Sequence, residues 1–354
     1  MWNSACKKNK DAALKWSNQK LGFFFGILAC NVYLLPVFSY IAQLANLDDS
    51  VLSAEAFMRN RLFSGPGNWL PKSFLTNAKE FGFPVSLRDL RVSSQSAKIR
   101  VLTRSTLDID TLSTDITLGL FRIQAAYGHH HPAAQWHANA FAINLTSARN
   151  SFISAGGQLQ RLHERPNSLQ SKIHKQLLVL QPCTLQLTLH TMSNRLSRFK
   201  LSVHGTKLQY RIKSRIDVLR ASPRVALLHV FVKTILNGWA TPRRLRSLSH
   251  GMSAHCPFCT NARDELEHYP FCPVVRAFYV SIGCRITCTE DFMALGRNLD
   301  RSNVLKYAKA LSVMYQSRNA LIRGPSPSLP SPLSLPPSPV SIINAFATAH
   351  NLSN

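Results

Sequence analysis

Three cysteines and one histidine fall within seventeen residues, in the order Cys256-x2-Cys259-x8-His268-x3-Cys272. Thiolate and imidazole together are the donor set of a tetrahedral zinc ion. Four protein ligands leave no open position for a water molecule, so the chemistry this spacing points to is structural: a closed zinc site that braces the chain and hydrolyses nothing. Cys256-Pro257-Phe258-Cys259 can turn as a tight knuckle, and residues 261–267 are long enough to loop back and deliver His268 and Cys272. The alternative is four residues that pack or stay free, but the chain has only eight cysteines and three of them are here. Cys284 and Cys288 can substitute as ligands, although their spacing also fits two buried thiols. Cys6, Cys30 and Cys183 have no evident partner.

Other chemistry-bearing residues carry less. His129, His130, His131 and His137 invite a metal, yet adjacent histidines cannot all face one ion and Pro132 makes the stretch a loop. Gly156-Gly157 stands outside any phosphate-loop pattern. The pair Asp48-Asp49 reads as a helix-capping turn, and Asp264, Glu265 and Glu267 as a solvated loop between the candidate ligands.

The elements around these residues read as helices. Residues 1–63 have helical character, with Ser53 as a candidate N-cap for a helix through Glu55, Phe57, Met58 and Leu62. Gly65-Pro66-Gly67 stops it, Trp69, Leu70 and Phe74 are expected in the core, and a short helix over Lys72–Phe81 ends at Gly82. From Ser86 to Gln124 the pattern is mixed. Lys207–Ala221 places Leu208, Ile212, Ile216 and Leu219 on one face, with Arg211, Lys213, Arg215 and Arg220 mostly off it. Ser222-Pro223 opens a helix with Val225, Leu228, Val232, Ile235 and Leu236 inward, ending near Asn237-Gly238. Thr241-Pro242 repeats that start signal for a short helix carrying Arg243, Arg244 and Arg246 into the cysteine cluster. Val304–Ile322 reads as an amphipathic helix, and the Pro/Ser-rich stretch beyond it lacks the apolar content for a core and reads as disordered over 324–354. The segments expected are 1–170, a basic helical region over 171–254, a zinc module over 255–290, a terminal helix over 291–323 and the tail.

Charge narrows the partner. The chain carries 42 Lys and Arg against 17 Asp and Glu, a formal net charge of +25, with 45% hydrophobic residues. Between Arg195 and Arg246 there are thirteen basic residues and one acid, Asp217. A surplus of this size favours a polyanion, either RNA or DNA held by its backbone phosphates or an anionic membrane surface. Arg211, Lys213, Arg215, Arg220, Arg243, Arg244 and Arg246 are the candidate phosphate contacts. The cysteine spacing is not that of a secreted disulfide framework and no cleavable signal peptide is evident, so the expected compartment is nucleus or cytoplasm. Leu21–Ala45 has no charged residue and follows Lys7, Lys8, Lys10, Lys15 and Lys20, which suits a membrane span; Asn31, Ser39, Gln43 and Pro36 suit one or two buried core helices instead.

Several strings together resemble a known family. Leu236-Asn237-Gly238-Trp239-Ala240-Thr241-Pro242-Arg243-Arg244, the Cys256–Cys259 knuckle, and Asp264-Glu265-Leu266-Glu267-His268-Tyr269-Pro270-Phe271-Cys272-Pro273 are similar to the C-terminal end of non-LTR (LINE-like) retrotransposon reverse transcriptases. There a thumb region precedes a CCHC module. The likeness extends in patches over residues 20–322, including residues 31–44, Gly65-Pro66-Gly67-Asn68-Trp69 and Tyr315-Gln316-Ser317-Arg318-Asn319. It implies a mainly α fold: a helical thumb-like body, a small CCHC zinc module and a disordered tail. It also tips residues 21–45 toward a core helix.

Two departures matter. The His268–Cys272 gap is three residues where such modules often have four, and Pro270 forbids a regular helix across it unless one starts there. The family's catalytic aspartates sit in an aromatic-x-Asp-Asp turn between strands, and Asp48-Asp49, the one Asp-Asp pair in the chain, lacks that setting. The resemblance therefore implies a nucleic-acid-binding fragment of the polyprotein with structural zinc and no polymerase centre of its own. The alternatives are reverse transcriptase activity only within a longer polyprotein, and a basic protein anchored in a membrane through residues 21–45. Trp239, Phe258 and Tyr269 are candidate base-stacking aromatics that also suit a core.

Overall fold

The computed structural model describes residues 2–39, 41–63, 65, 69–104, 144–145, 147–157, 169–180, 184–242, 254–297, 299–323 and 338–352. The fold is mainly α. In chain order the first helices are α1 (Asn3–Ser17), α2 (Gly22–Ala29), α3 (Pro36–Ser39), α4 (Ile41–Leu44), α5 (Asp49–Leu62), α6 (Lys72–Thr76) and α7 (Leu90–Arg104). There follow α8 (Leu169–Leu180), α9 (Thr184–Leu196), α10 (Gly205–Arg220), α11 (Val225–Ile235), α12 (Pro273–Ser281), α13 (Thr289–Phe292), α14 (Arg301–Arg323) and α15 (Pro339–Ala349). Among the described residues there is no strand, and His255 and Arg263 make one isolated antiparallel bridge. His129–His131, His137, Cys183, Arg243, Arg244 and Arg246 lie outside the described residues.

The chain divides into two compact units along different lines from the five expected segments. One contains Met1–Phe63 and Val85–Thr184, the other Ser64–Pro84 and Leu185–Asn354. In the first, α1 packs on α5 and α7 on α8. Val92, Ile99, Ala148, Phe152, Ile173 and Leu177 form one of its apolar clusters. The apolar stretch after α1 is a broken helix: α2 widens into a π turn over Cys30–Leu34, closed by Leu35 N donating to Cys30 O at 2.8 Å, immediately before Pro36. Proline lacks an amide and its ring crowds the carbonyl four residues back; the wider turn accommodates both. Ile27, Cys30, Leu34, Leu35 and Phe38 are buried, and Phe24, Phe25, Val32 and Tyr33 are exposed. Burial, with Glu55 next, pushes the Cys30 thiol up to about 12, so it stays protonated and inert.

The first cap differs from expectation. Asp48, not Ser53, caps α5: its backbone is extended and its carboxylate accepts the Val51 amide at 3.0 Å and the Ser50 hydroxyl at 2.6 Å. Ser53 lies one turn inside. The Ser50 hydroxyl first, and the Val51 amide, hold the Asp48 carboxyl below its ordinary value. Asp48→Ala is expected to cost about 1 kcal/mol of helix stability, read by denaturant melts. Because the folded value is depressed, that contribution is present above the ordinary carboxylate range and disappears as pH falls through the folded value. An equal difference between wild type and variant at all pH values would contradict this.

In the second unit the α10 expectation holds: Leu208, Ile212, Ile216 and Leu219 are all buried. α6 stops at Thr76 rather than Phe81, where Asn77 Nδ2 turns back to donate to Ser73 O at 2.7 Å and replaces the continuing helical bond. α11 starts at Val225 with Ser222 Oγ accepting the Arg224 amide at 3.3 Å, and Val225 is exposed, not inward. The tail also differs: Ser338 accepts the Ser341 amide at 3.2 Å, Pro339 takes the first helical position, and α15 buries Ile343 and Ala347 while packing on α14. Its Ile, Phe and Ala residues after Pro339 supply the apolar stripe that the Pro/Ser-rich composition concealed. Residues 324–337 are outside the described set. Trp69 is buried over Gly238, where an added Cβ would meet its ring at 2.6 Å, and its carbonyl accepts from Arg195. That contact places residues 64–84 in this unit.

Candidate metal centre and its surroundings

Cys256 begins a reversed loop. The Thr260 amide donates to Cys256 O at 2.9 Å, the Cys256 amide to Ala262 O at 2.7 Å, and the Asp264 amide to Ala254 O at 2.9 Å. Thr260 supplies the left-handed residue of the turn, at φ 56°. The chain then runs through a single 3-10 turn, Tyr269–Phe271, with Pro270 in its first turn, where a missing amide costs nothing. Cys272 is the N-cap position of α12 and Pro273 its first residue. The short His268–Cys272 gap is therefore bridged by a tighter helix rather than by an α turn.

This path brings Cys256, Cys259, His268 and Cys272 together, with their ligand atoms all within 4.8 Å of one another. Cys259 Sγ stands 3.2 Å from His268 Nε2. Ligand atoms on one tetrahedral zinc would be roughly 3.6–3.8 Å apart, from Zn–S near 2.3 Å and Zn–N near 2.0 Å. The donor set fits a metal ion with small side-chain adjustment. A hydrogen bond between the Cys256 and Cys272 thiols, with burial next, pushes the Cys256 thiol up; the same bond pulls Cys272 down. Burial lowers His268, against Asp264 and Glu265, which favours the neutral imidazole a metal requires. Cys284 and Cys288 stay outside the cluster: Cys284 is buried and Cys288 half-buried.

Behind the cluster lies a buried polar tie. Arg318, on α14 and 1% exposed, forms an ion pair with Asp264 Oδ2. Its Nε donates to Asp264 Oδ1 at 3.1 Å and to the Tyr269 hydroxyl at 2.7 Å, and Nη2 also donates to Ala240 O at 2.9 Å. Tyr269 donates its hydroxyl proton to Asp264 Oδ1. Burial pulls the Arg318 guanidinium down, but Asp264 and Tyr269 outweigh it and raise its pKa. Burial chiefly holds Tyr269 well above its ordinary value. Asp264, expected in a solvated loop, is buried.

Trp239, Phe258 and Tyr269 are buried in one aromatic cluster, with Trp239 and Tyr269 ring centroids 5.4 Å apart and Phe258 and Tyr269 5.8 Å apart. Trp239 Nε1 donates to Thr234 Oγ1 at 2.9 Å. They are core residues with no face left for a base.

The basic face is sorted by the same test. Arg215 is buried; its Nη2 donates to Gly296 O at 2.9 Å and its Nη1 to Leu299 O at 3.3 Å. This corrects its assignment as a phosphate contact, since both bonds tie α10 to the carbonyls of Gly296 and Leu299. Arg211 is half-buried and donates to Leu295 O at 3.3 Å. Lys213 is exposed and pairs with Asp217 at 2.9 Å. Arg220 is exposed, and its stem lies over Gly82, whose φ of 89° and lack of a side chain make room for it.

Comparison with family models, curated proteins and solved structures gives no match.

Proposed function

We propose that this chain is a nucleic-acid-binding fragment of a non-LTR retrotransposon reverse transcriptase polyprotein, acting in nucleus or cytoplasm. In this reading zinc on Cys256, Cys259, His268 and Cys272 is structural, and RNA or DNA is held through backbone phosphates. The observation that carries it is the convergence of the four ligand atoms within 4.8 Å in a chain of net charge +25. The Leu236–Arg244 and Asp264–Pro273 strings add the likeness to the thumb and CCHC region. Exposed Lys213 and Arg220, with Arg243, Arg244 and Arg246 ahead of the knuckle, are the proposed phosphate contacts.

The test is binding of labelled single-stranded RNA and duplex DNA across a salt series. Affinity is expected to fall log-linearly with salt. Replacing Arg243, Arg244 and Arg246 together by Ala should reduce the slope by about 2 to 3 and weaken binding roughly tenfold or more at low salt. An unchanged slope would remove these arginines from the interface. No primer extension is expected from this chain alone, since Asp48 caps a helix and Asp49 opens it; activity within a longer polyprotein is the competing reading.

A membrane reading has its own observation. Gly22–Ser39 is long and apolar enough to cross a bilayer, and only 39% of it is buried. Partition of the protein into the pellet after carbonate extraction would favour that reading over the soluble one.

A further inference from the structure

The exposed face of α10 carries a feature that the metal centre does not use. Tyr210 is 75% exposed, the most exposed aromatic side chain among the described residues. Positions 207, 210, 213–214 and 217 succeed one another at helical spacing opposite the buried Leu208, Ile212 and Ile216, so Lys207, Tyr210, Lys213, Ser214 and Asp217 share one side of the helix. Arg301, the first residue of α14, completes a groove of about 500 Å³ with Tyr210, Lys213, Ser214 and Asp217. That size lies within the ordinary range of ligand clefts. Lys207, Lys213 and Arg301 are exposed cations around it, and Asp217 is its one acid, paired with Lys213.

A tyrosine left in water on a helix costs solvation of its ring and gives nothing to the core. Set among cations it has the two components that single-stranded nucleic acid needs: a flat π face for a base and positive charge for the flanking phosphates. A duplex offers the phosphates but keeps its bases stacked, and so has no use for the ring. We propose that the Tyr210 groove is a seat for one unpaired nucleotide of a bound strand. The base lies on the Tyr210 ring, the Ser214 hydroxyl is within reach of the sugar or base edge, and Lys213 and Arg301 hold the phosphates on either side. Asp217 opposes the strand: it repels the backbone and competes for Lys213. The inference rests on the nucleic-acid reading given above and specifies that the ligand is single-stranded at this point.

The test uses the full chain and three probes: a labelled oligouridine RNA, a strand of equal length with abasic sites in place of its bases, and a duplex RNA. Wild type should bind oligouridine more tightly than the abasic strand. Tyr210→Ala should weaken oligouridine binding about tenfold without changing the salt slope, because a stacking contact and no phosphate contact is lost. Its duplex binding should not move, and Tyr210→Phe should stay within about twofold of wild type. Arg301→Ala should lower the salt slope by about one, and Asp217→Asn should tighten binding. A 2-aminopurine placed in the strand should lose fluorescence on binding to wild type and regain it with Tyr210→Ala. The exposed position of Tyr210 on a helix means that Ala leaves the fold intact. Wild type that binds no nucleic acid defeats the functional reading and this one together. Wild type that binds, with Tyr210→Ala equal to it or the abasic strand equal to oligouridine, overturns the groove alone.

Discussion

Substituting His268→Ala or Cys256→Ser is expected to abolish high-affinity metal binding and to open the chain from residue 254 to α12. With all four ligands present, one equivalent of cobalt should show tetrahedral ligand-field bands and charge transfer from three thiolates. Either substitution removes a direct ligand and should weaken the metal by more than the roughly 10–100-fold that outer-shell changes cost. The energetic reason is the lack of helix or sheet: from Ala254 to His268 the backbone holds one isolated bridge and a few turn hydrogen bonds, and Asp264 ties it to α14. In small zinc modules the ion supplies roughly 10–16 kcal/mol of folding free energy. Here the buried aromatics around Tyr269 carry part of that burden, so opening should stay local. Hydrogen exchange should rise over residues 254–272 after chelation while α1 and α5 keep their protection. Cobalt spectra with fewer than two thiolate ligands would eliminate this ligand set.

Arg318→Met should destabilise the second unit by about 3–5 kcal/mol, the usual cost of leaving one partner of a buried ion pair behind. Asp264 would keep the Tyr269 hydroxyl but lose both guanidinium contacts, and Ala240 O would lose its donor. Arg318→Lys is not a conservative repair, because one ammonium cannot reach two carboxylate oxygens, the phenol and the carbonyl in the fork that guanidinium provides. Replacing Asp264→Leu together with Arg318→Met should recover much of the loss, since an apolar pair carries no stranded charge. A single substitution costing under about 1 kcal/mol in denaturant melts, or a double variant as unstable as the sum of the singles, would refute this account.

How much of this was readable beforehand depends on where each signal was stored. The CCHC spacing is a local covalent record, and the four residues meet as their intervals suggested. The α10 face was readable for the same reason, since periodicity reports burial directly. Arg215 was misplaced because a face drawn from apolar residues says nothing about a cation at its border that finds carbonyls at Gly296 and Leu299. Arg318 does have a local signature. Val304, Ala308, Leu311 and Met314 mark the buried side of α14, and position 318 continues it, so an arginine there demands a buried carboxylate. The tail misled because seven prolines between 325 and 339 dominate its composition, while the helix-forming pattern begins only at the last of them. The grouping of residues 64–84 with Leu185–Asn354 has no local signature: Trp69 reaching Gly238 is a contact between distant stretches of sequence, and no local pattern encodes it.

That contact also dictates an order of assembly. Residues 64–84 leave the ribosome with their partner still unmade, because Val85–Thr184 must be synthesised before Leu185 appears. At about 5–20 residues per second this hundred-residue interval lasts roughly 5–20 s. Throughout it Trp69 has no Gly238 surface to cover, and its indole is left without the partner it packs on in the finished fold. An expressed piece beginning at Leu185 would have the reciprocal defect, an open slot over Gly238 where the indole belongs.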